Sequence, residues 1–332
     1  MITYIIRRML LMIPTLLVIS LLVFIIIELP PGDYIESYIA QLEAQGEQAN
    51  PELLSFLRQQ YGLEKPAYER YFGWVTGMVQ GDFGFSFEYR MPVSEVIGDR
   101  LLLTILISIA TIMFTWIIAF PIAIYSATHQ YSWGDYGLTL LGLMGLATPN
   151  FLLALIMLYF ANVVFGTSIG GLMDPEYLNQ PWSVDKAVSV LEHLWVPVVV
   201  IGTAGTAGMI RKLRANLLDE LGKHYVTAAR AKGLPGYRLL VKYPLRVAIN
   251  FMVGDIGHLL PSVISGAELV AIVLSLPTTG PILISALQSQ DMYLAGSFLM
   301  FLSMLTVVGV LISDIALTFL DPRIRLDQGT ER

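Results

Sequence analysis

Three residues that can carry a proton fall inside one long apolar run, 247–275: Asp255, His258 and Glu268. Asp255 and His258 are three residues apart, about one helical turn, so their side chains share a face and lie within reach of a hydrogen bond. Glu268 sits nearer the far end of the same run, and Asp314 lies in another. An ionisable group in such a segment costs several kcal/mol unless it is paired or hydrated, so each faces protein or a wet cavity. The chemistry this pattern permits is proton relay, as in a proton-coupled carrier. The plainer alternative for Asp255 and His258 is structural, Asp255 lying about two turns from a basic segment and reaching that interface; as a functional reading, Glu268, with Asp255 and His258, would line a translocation path.

Other chemistries lack their residues. No G-x-x-x-x-G-K-[ST] phosphate loop and no G-x-S-x-G nucleophile motif occurs. His129, His193, His224 and His258 have no ligand spacing, and there is no cysteine, so no metal site, cofactor or thiol chemistry is expected. The chain is not expected to be an enzyme. Its Lys and Arg cluster, 211–246, lies beside apolar runs, which favours membrane topology over nucleic-acid binding, with membrane lipid as the expected surroundings.

The elements that must position these groups are apolar helices. The 332 residues are 55% hydrophobic and 14% charged, with a mean hydropathy of +0.65. That places the chain in a bilayer. Six runs have the length to cross roughly 30 Å of hydrocarbon, near 9–29, 101–126, 138–165, 193–210, 247–275 and 292–318. The expected organisation is an N-terminal transmembrane helix (1–29), a segment outside the membrane (30–100), a five-helix transmembrane core (101–318) with a basic loop at 211–246, and a tail (319–332). Arg7 and Arg8, nine basic residues between Arg211 and Arg246, and Arg323, Arg325 and Arg332 make up most of the 20 Lys and Arg. By the positive-inside rule both termini are then cytoplasmic and 30–100 faces out.

Within 30–100, Asn50-Pro51 reads as a helix cap with Pro at the first helical position. The stretch Pro66–Gln80 is amphipathic and aromatic, which favours packing over disorder. Gly170-Gly171, Asp174-Pro175 and Pro181 mark a turn-rich second loop, and Pro277–Pro281 holds too many breakers for a helix. Gly202, Gly205 and Gly208, with Ala204 and Ala207, give the fourth run a nearly bare surface for close helix approach. Pro121, Pro149 and Pro261 mark expected kinks.

The basic segment has its own architecture. Tyr225, Val226, Ala228, Ala229 and Ala231 fit a short helix with small residues on one face and Arg230 and Lys232 beside it. Gly233-Leu234-Pro235-Gly236 stops it. Tyr237–Tyr243 follows as a second amphipathic helix, with Leu239, Leu240 and Tyr243 on one face and Arg238 and Lys242 on another. Two short helices on a Gly hinge make a compact knob suited to a partner's groove.

This string resembles the cytoplasmic coupling motif of ABC import permeases. Thr227-Ala228-Ala229, Gly233 and Leu245 stand at its positions, with Thr227 for the acidic residue, Tyr243 for the isoleucine and Arg246 for the proline. The wider YVTAARAKGL and LVKYPLR are similar to the dipeptide/oligopeptide/nickel-type branch, and the resemblance runs from Arg7-Arg8 to Asp321-Pro322-Arg323. It implies an all-α, six-helix, type I importer-like fold with a helical extracytoplasmic cap after helix 1, in the inner membrane. It implies ATPase coupling through Tyr225, Thr227, Ala228, Ala229, Ala231, Lys232, Gly233 and Leu245, with alternating access to a central cavity. Expected partners are a second related permease, two ABC ATPase subunits that bind ATP and Mg, and an extracytoplasmic substrate-binding protein. Peptides are the expected cargo and oligosaccharides the alternative; a self-sufficient proton-coupled carrier and an assembly protein remain the readings from other classes.

Overall fold

The computed structural model describes residues 2–320 except Pro31, Asp33, 47–49, Tyr61, 167–168 and Asn179; a few helical residues, His258 among them, are described by backbone only. The tail from Asp321 onward, with the expected Asp321-Pro322-Arg323 and the basic residues at 323, 325 and 332, lies outside the described residues. The helices are α1 (Ile2–Glu28), α2 (Tyr34–Ala44), α3 (Pro51–Gln60), α4 (Ala67–Val79), α5 (Val93–Thr128), α6 (Trp133–Ala147), α7 (Asn150–Phe165), α8 (Val184–Leu221), α9 (His224–Ala231), α10 (Gly236–Lys242), α11 (Pro244–Ala248), α12 (Asn250–Gly266), α13 (Glu268–Val273), α14 (Thr279–Gln288) and α15 (Met292–Leu320). A two-stranded hairpin pairs β1 (Phe85–Ser86) with β2 (Met91–Pro92), Phe85 opposite Pro92 and Ser86 opposite Met91.

Among the described residues, four helices are long and apolar enough to cross a membrane: those spanning Ile5–Glu28, Val93–Thr128, Val184–Leu221 and Met292–Phe319. Counting Trp133–Ala147 with Asn150–Val164 as one broken span makes five. That break, a 96° bend, falls at Pro149, which cannot continue a helix and holds Thr148 in an extended conformation. The expected fifth span, 247–275, is divided: α11, α12 and α13 share it, α12 has 17 residues, and Ala267 ends it before Glu268 opens the next helix. The expected fourth, 193–210, is the middle of a 38-residue helix about 57 Å long, well beyond a hydrocarbon core. Pro121 and Pro261 sit inside continuous helices. The Pro277–Pro281 stretch is only partly irregular: Thr279, Gly280 and Pro281 form the first turn of α14, where a missing N–H costs no helical hydrogen bond.

The chain divides into two compact units, with boundaries inside α5, just before α14 and inside α15. The first comprises residues 1–104 and 278–307. Val93, Val96 and Ile97 of α5 pack there on Ile282, Leu283 and Ala286 of α14 and Leu294, Ala295 and Phe298 of α15. Thr104 and Thr279 share a buried hydrogen bond of 2.9 Å. Asp291 is the polar centre of this unit. It is 0% exposed, and Oδ2 accepts from Ser86 Oγ (2.6 Å), Phe87 N (2.8 Å) and Glu88 N (3.2 Å) while Oδ1 accepts from Leu294 N (3.2 Å). Burial pushes its carboxyl pKa up and these donors pull it back, with burial the larger effect. Glu88 in turn accepts from Ser285 Oγ (2.5 Å) and Ser289 Oγ (2.6 Å), so the hairpin loop is fastened to α14 and α15 by side chains. Gly84, at φ +84°, lies so close to Tyr293 that a Cβ would stand 2.5 Å from its ring.

The second unit comprises residues 105–277 and 308–332. Its main core joins Ala119, Ala123 and Ala127 of α5, Met209, Ile210, Leu213 and Leu217 of α8, Leu245 and Ala248 of α11, and Met252 of α12. Of the glycines expected to give α8 a bare surface, Gly202 makes a close approach, Gly205 would place a Cβ 3.4 Å from Thr115, and Gly208 has nothing within 4 Å. A Cβ on Gly202 would meet the Phe114 ring at 2.6 Å, and one on Gly145 of α6 would meet Thr203 at 2.7 Å. At the α12–α15 crossing the neighbour is backbone: a Cβ on Gly257 would sit 2.6 Å from the Val310 backbone nitrogen.

Candidate functional site

The basic knob lies wholly in the second unit and is built as two helices around a very small core. α9 and α10 bury Val226, Ala229 and Leu239, with Leu234 and Tyr243 partly buried against them. The first helix stops where Lys232 N donates to Ala228 O (3.1 Å) and Gly233 N to Arg230 O (3.0 Å). Gly233 then takes φ +80°, the left-handed conformation that the Gly was expected to supply. Pro235 leads into α10, and Tyr243 leaves it with φ −118° and ψ −81° before Pro244 starts α11.

The expected residues separate into two sets. Thr227, Ala228, Ala231, Lys232 and Gly233 are exposed, and so are Arg230, Tyr237 and Arg238. Ala229, 6% exposed, and Leu245, 8%, point inward. The small-residue face expected from Ala228, Ala229 and Ala231 is therefore corrected: a helix turns about 100° per residue, so 228 and 231 share a side and 229 opposes them. Leu245 belongs to the main core, fixing the exit of the knob on α8.

Tyr225 ties the knob to its support. Its hydroxyl donates to Glu220 of α8, and its ring stands 6.4 Å from that of Tyr243. Partial burial and the Glu220 carboxylate push its pKa up to about 12. Lys242 Nζ lies 5.6 Å from the centre of the Tyr243 ring.

The groups considered for proton relay are placed differently. Asp255 Oδ2 is 3.1 Å from Lys212 Nζ, at the basic end of α8. It therefore has a cationic partner on α8. The His258 side chain lies outside the described residues. Glu268 opens α13, half-buried, on a separate helix from Asp255.

One ionic contact of this unit was not anticipated. Arg214 of α8 binds Asp135 of α6 through two bonds, Nη2–Oδ2 at 2.8 Å and Nε–Oδ1 at 3.2 Å. Asp135 is 2% exposed and also accepts from Tyr131 N (3.0 Å), while its own N–H donates to Ser132 Oγ (3.1 Å). Ser132 followed three residues later by Asp135 is a legible helix-start signal; the Arg partner, 79 residues on, had none. The pair fixes α6 to the stretch of α8 that leads into the knob. Among the described residues no cluster of three or more His, Cys, Asp or Glu could hold a metal ion.

Comparison with known proteins agrees with this architecture. Residues 119–326 match the family model described as binding-protein-dependent transport system inner membrane component, and residues 1–110 match the N-terminal model of the same kind of membrane component. The chain is 36% identical to the oligopeptide transport system permease protein AppB of Bacillus subtilis (strain 168), over 97% of this chain and 98% of that protein. It is 29% identical to the dipeptide transport system permease protein DppB of Escherichia coli (strain K12), covering 98% of this chain and 99% of DppB. The glutathione transport system permease protein GsiC of Escherichia coli (strain K12) is also 29% identical, with coverage of 98% and 99%. Multi-pass apolar helices, a two-helix basic knob and full-length similarity to peptide permeases converge: the chain belongs to the binding-protein-dependent inner-membrane permeases, as an ABC importer permease of the peptide type.

Proposed function

We propose that this chain is one half of a permease pair that imports peptides by alternating access, driven by ATP hydrolysis in partner subunits. The observation that carries the proposal is the knob: two short helices with a minimal core and an exposed, small and basic outer surface, standing on the end of α8. Such a surface accepts a partner's groove at Thr227, Ala228, Ala231, Lys232 and Gly233, while Ala229 and Leu245 keep the knob's shape. Two ABC ATPase subunits bind ATP and Mg below it. Closure of those subunits pushes α8 through Tyr225 and the inward residues, and the differential affinity of ATP for the closed state supplies the bias.

On this reading the chain crosses the membrane six times, with the divided α12–α13 stretch as a fifth, broken crossing and both termini cytoplasmic. Helices α2–α4 then form an outer cap that meets a substrate-binding protein. Similarity to permeases named for oligopeptides, dipeptides and glutathione supports peptide over oligosaccharide cargo. The Lys212–Asp255 pair weighs against a free-standing proton relay. Glu268 remains the acidic group proposed to face the path.

The test is isolation through a C-terminal tag in mild detergent, with stoichiometric companions identified by mass spectrometry. Recovery of ABC ATPases and a second permease is the expected outcome. Recovery of this chain alone, transporting after reconstitution without ATP and stopped by a protonophore, would overturn the proposal.

A further inference from the structure

α1 carries charge at both ends of its apolar stretch. Arg7 and Arg8 precede it and Glu28 closes it, and Met9–Ile27 measures about 28 Å of helix, the thickness of a hydrocarbon core. Depth along α1 can be counted down from Glu28: Phe24 lies about 6 Å below it and Ser20 about 12 Å. α4 packs at those depths. Arg70 reaches up to Glu28 with two bonds of 2.8 and 2.6 Å. The Tyr71 and Trp74 rings stand 5.4 and 6.3 Å from Phe24, and the Tyr71 and Ser20 hydroxyls share a bond of 2.9 Å. Val75 and Met78 join the same cluster with Val23 and Ile19.

The opposite side of α4 is apolar and uncovered. Tyr68, Phe72, Thr76 and Val79 recur at helical spacing along it, with Phe72 63% and Val79 84% exposed. The charged residues of α4, Glu69 and Arg70, are both in its first turn; exposed Glu69 borders this face at the level of Tyr68, and no charge follows from Tyr71 to Gln80. Thr76 offers no free polar hydrogen to this face, because its hydroxyl donates back to Phe72 O (2.6 Å). Beyond its first turn this face carries no charge to meet water, and α1, on which α4 packs, likewise leaves apolar side chains exposed at Leu17, Leu21 and Ile25.

We propose that α4 is a half-inserted amphipathic helix, lying in the membrane interface at the C-terminal end of α1 with Phe72, Thr76 and Val79 against phospholipid acyl chains and Tyr68 at headgroup level. The segment 30–100 is then not wholly outside the bilayer: its third helix is sunk into one leaflet and anchors the rest. This holds whichever face α1's C-terminus occupies and whatever the cargo.

The chain has no cysteine, so Phe72→Cys and Val79→Cys each introduce one thiol. The tagged complex is labelled with bimane and reconstituted in phosphatidylcholine and phosphatidylglycerol vesicles, with the parent chain as the measure of labelling on companion subunits. Leu21→Cys on α1 is the lipid-facing standard and Glu52→Cys on α3 the exposed comparison. Both α4 labels should be quenched by acyl-chain-brominated phospholipid to the extent seen at position 21, with a several-fold loss of iodide quenching relative to position 52. Iodide quenching equal to that at 52 would place the face in water, and protection from both quenchers would place a protein partner on it; either result overturns the proposal.

Discussion

The Asp291 hub of the first unit and the basic knob of the second are both short, turn-rich stretches tied to long helices, yet they are stabilised in opposite ways. The hub buries a carboxyl group completely and surrounds it with four donors. Nothing of Asp291 faces outward. The knob buries three small or medium apolar side chains and leaves its polar and basic groups in the open. A buried polar network fixes one geometry because every unmade bond is costly, whereas a thin apolar core leaves the outer surface free for recognition. Rigidity is concentrated where the chain must hold a hairpin, and accessibility where it must meet a partner.

The largest expected effect comes from emptying the hub. Asp291→Ala strands one hydroxyl and three backbone N–H groups around a buried position and should destabilise the protein by about 4 kcal/mol, read as a fall in the thermal midpoint of the detergent-solubilised protein. A midpoint within a degree or so of the parent would remove the hub's claim to rigidity. Next is Arg214→Ala, which leaves Asp135 buried without its cation. It should cost about 2–3 kcal/mol, below the full value for a buried pair because Arg214 is 27% exposed. Arg214→Lys should recover only part, since an ammonium cannot make both bonds.

The knob's two faces provide the next contrast. Ala229→Trp forces a large ring into the three-residue core and should unfold the knob, seen as new protease cleavage between α8 and α11. Ala228→Trp, on the outer side, should leave protease resistance intact and abolish recovery of ATPase subunits. Identical behaviour of the two variants would dissolve the distinction between inner and outer faces. The smallest effect belongs to Tyr225→Phe. Because the folded-state pKa is raised from 10.0 to about 12, this hydroxyl's stabilisation is present below pH 10 and is lost as pH rises through about 12. Tyr225 is 39% exposed, so the contribution is a few tenths of a kcal/mol, and the phenylalanine variant should lose the alkaline dependence.

Membrane residence, the first and last long apolar helices, the Pro149 break and the helix–Gly–helix knob were legible in the residues, whereas the extent of α8 and the division of 247–275 were not. Each legible feature depends on interactions within a few turns: apolar length, a missing N–H at Pro, and the positive φ of Gly233 are properties of the local chain. Three contacts were decided only by the tertiary structure. Asp255 pairs with Lys212 of another helix, Asp135 found Arg214 79 residues away, and Asp291 drew three of its four donors from a hairpin some 200 residues earlier. The inward turn of Ala229 belongs with them, since the sequence placed it on a small-residue face without saying what that face would meet. Periodicity places a side chain on a helix face, but which face is covered, and which charge meets which, depends on how distant helices cross; that geometry is set by close contacts such as Gly257 against Val310 and Gly202 against Phe114.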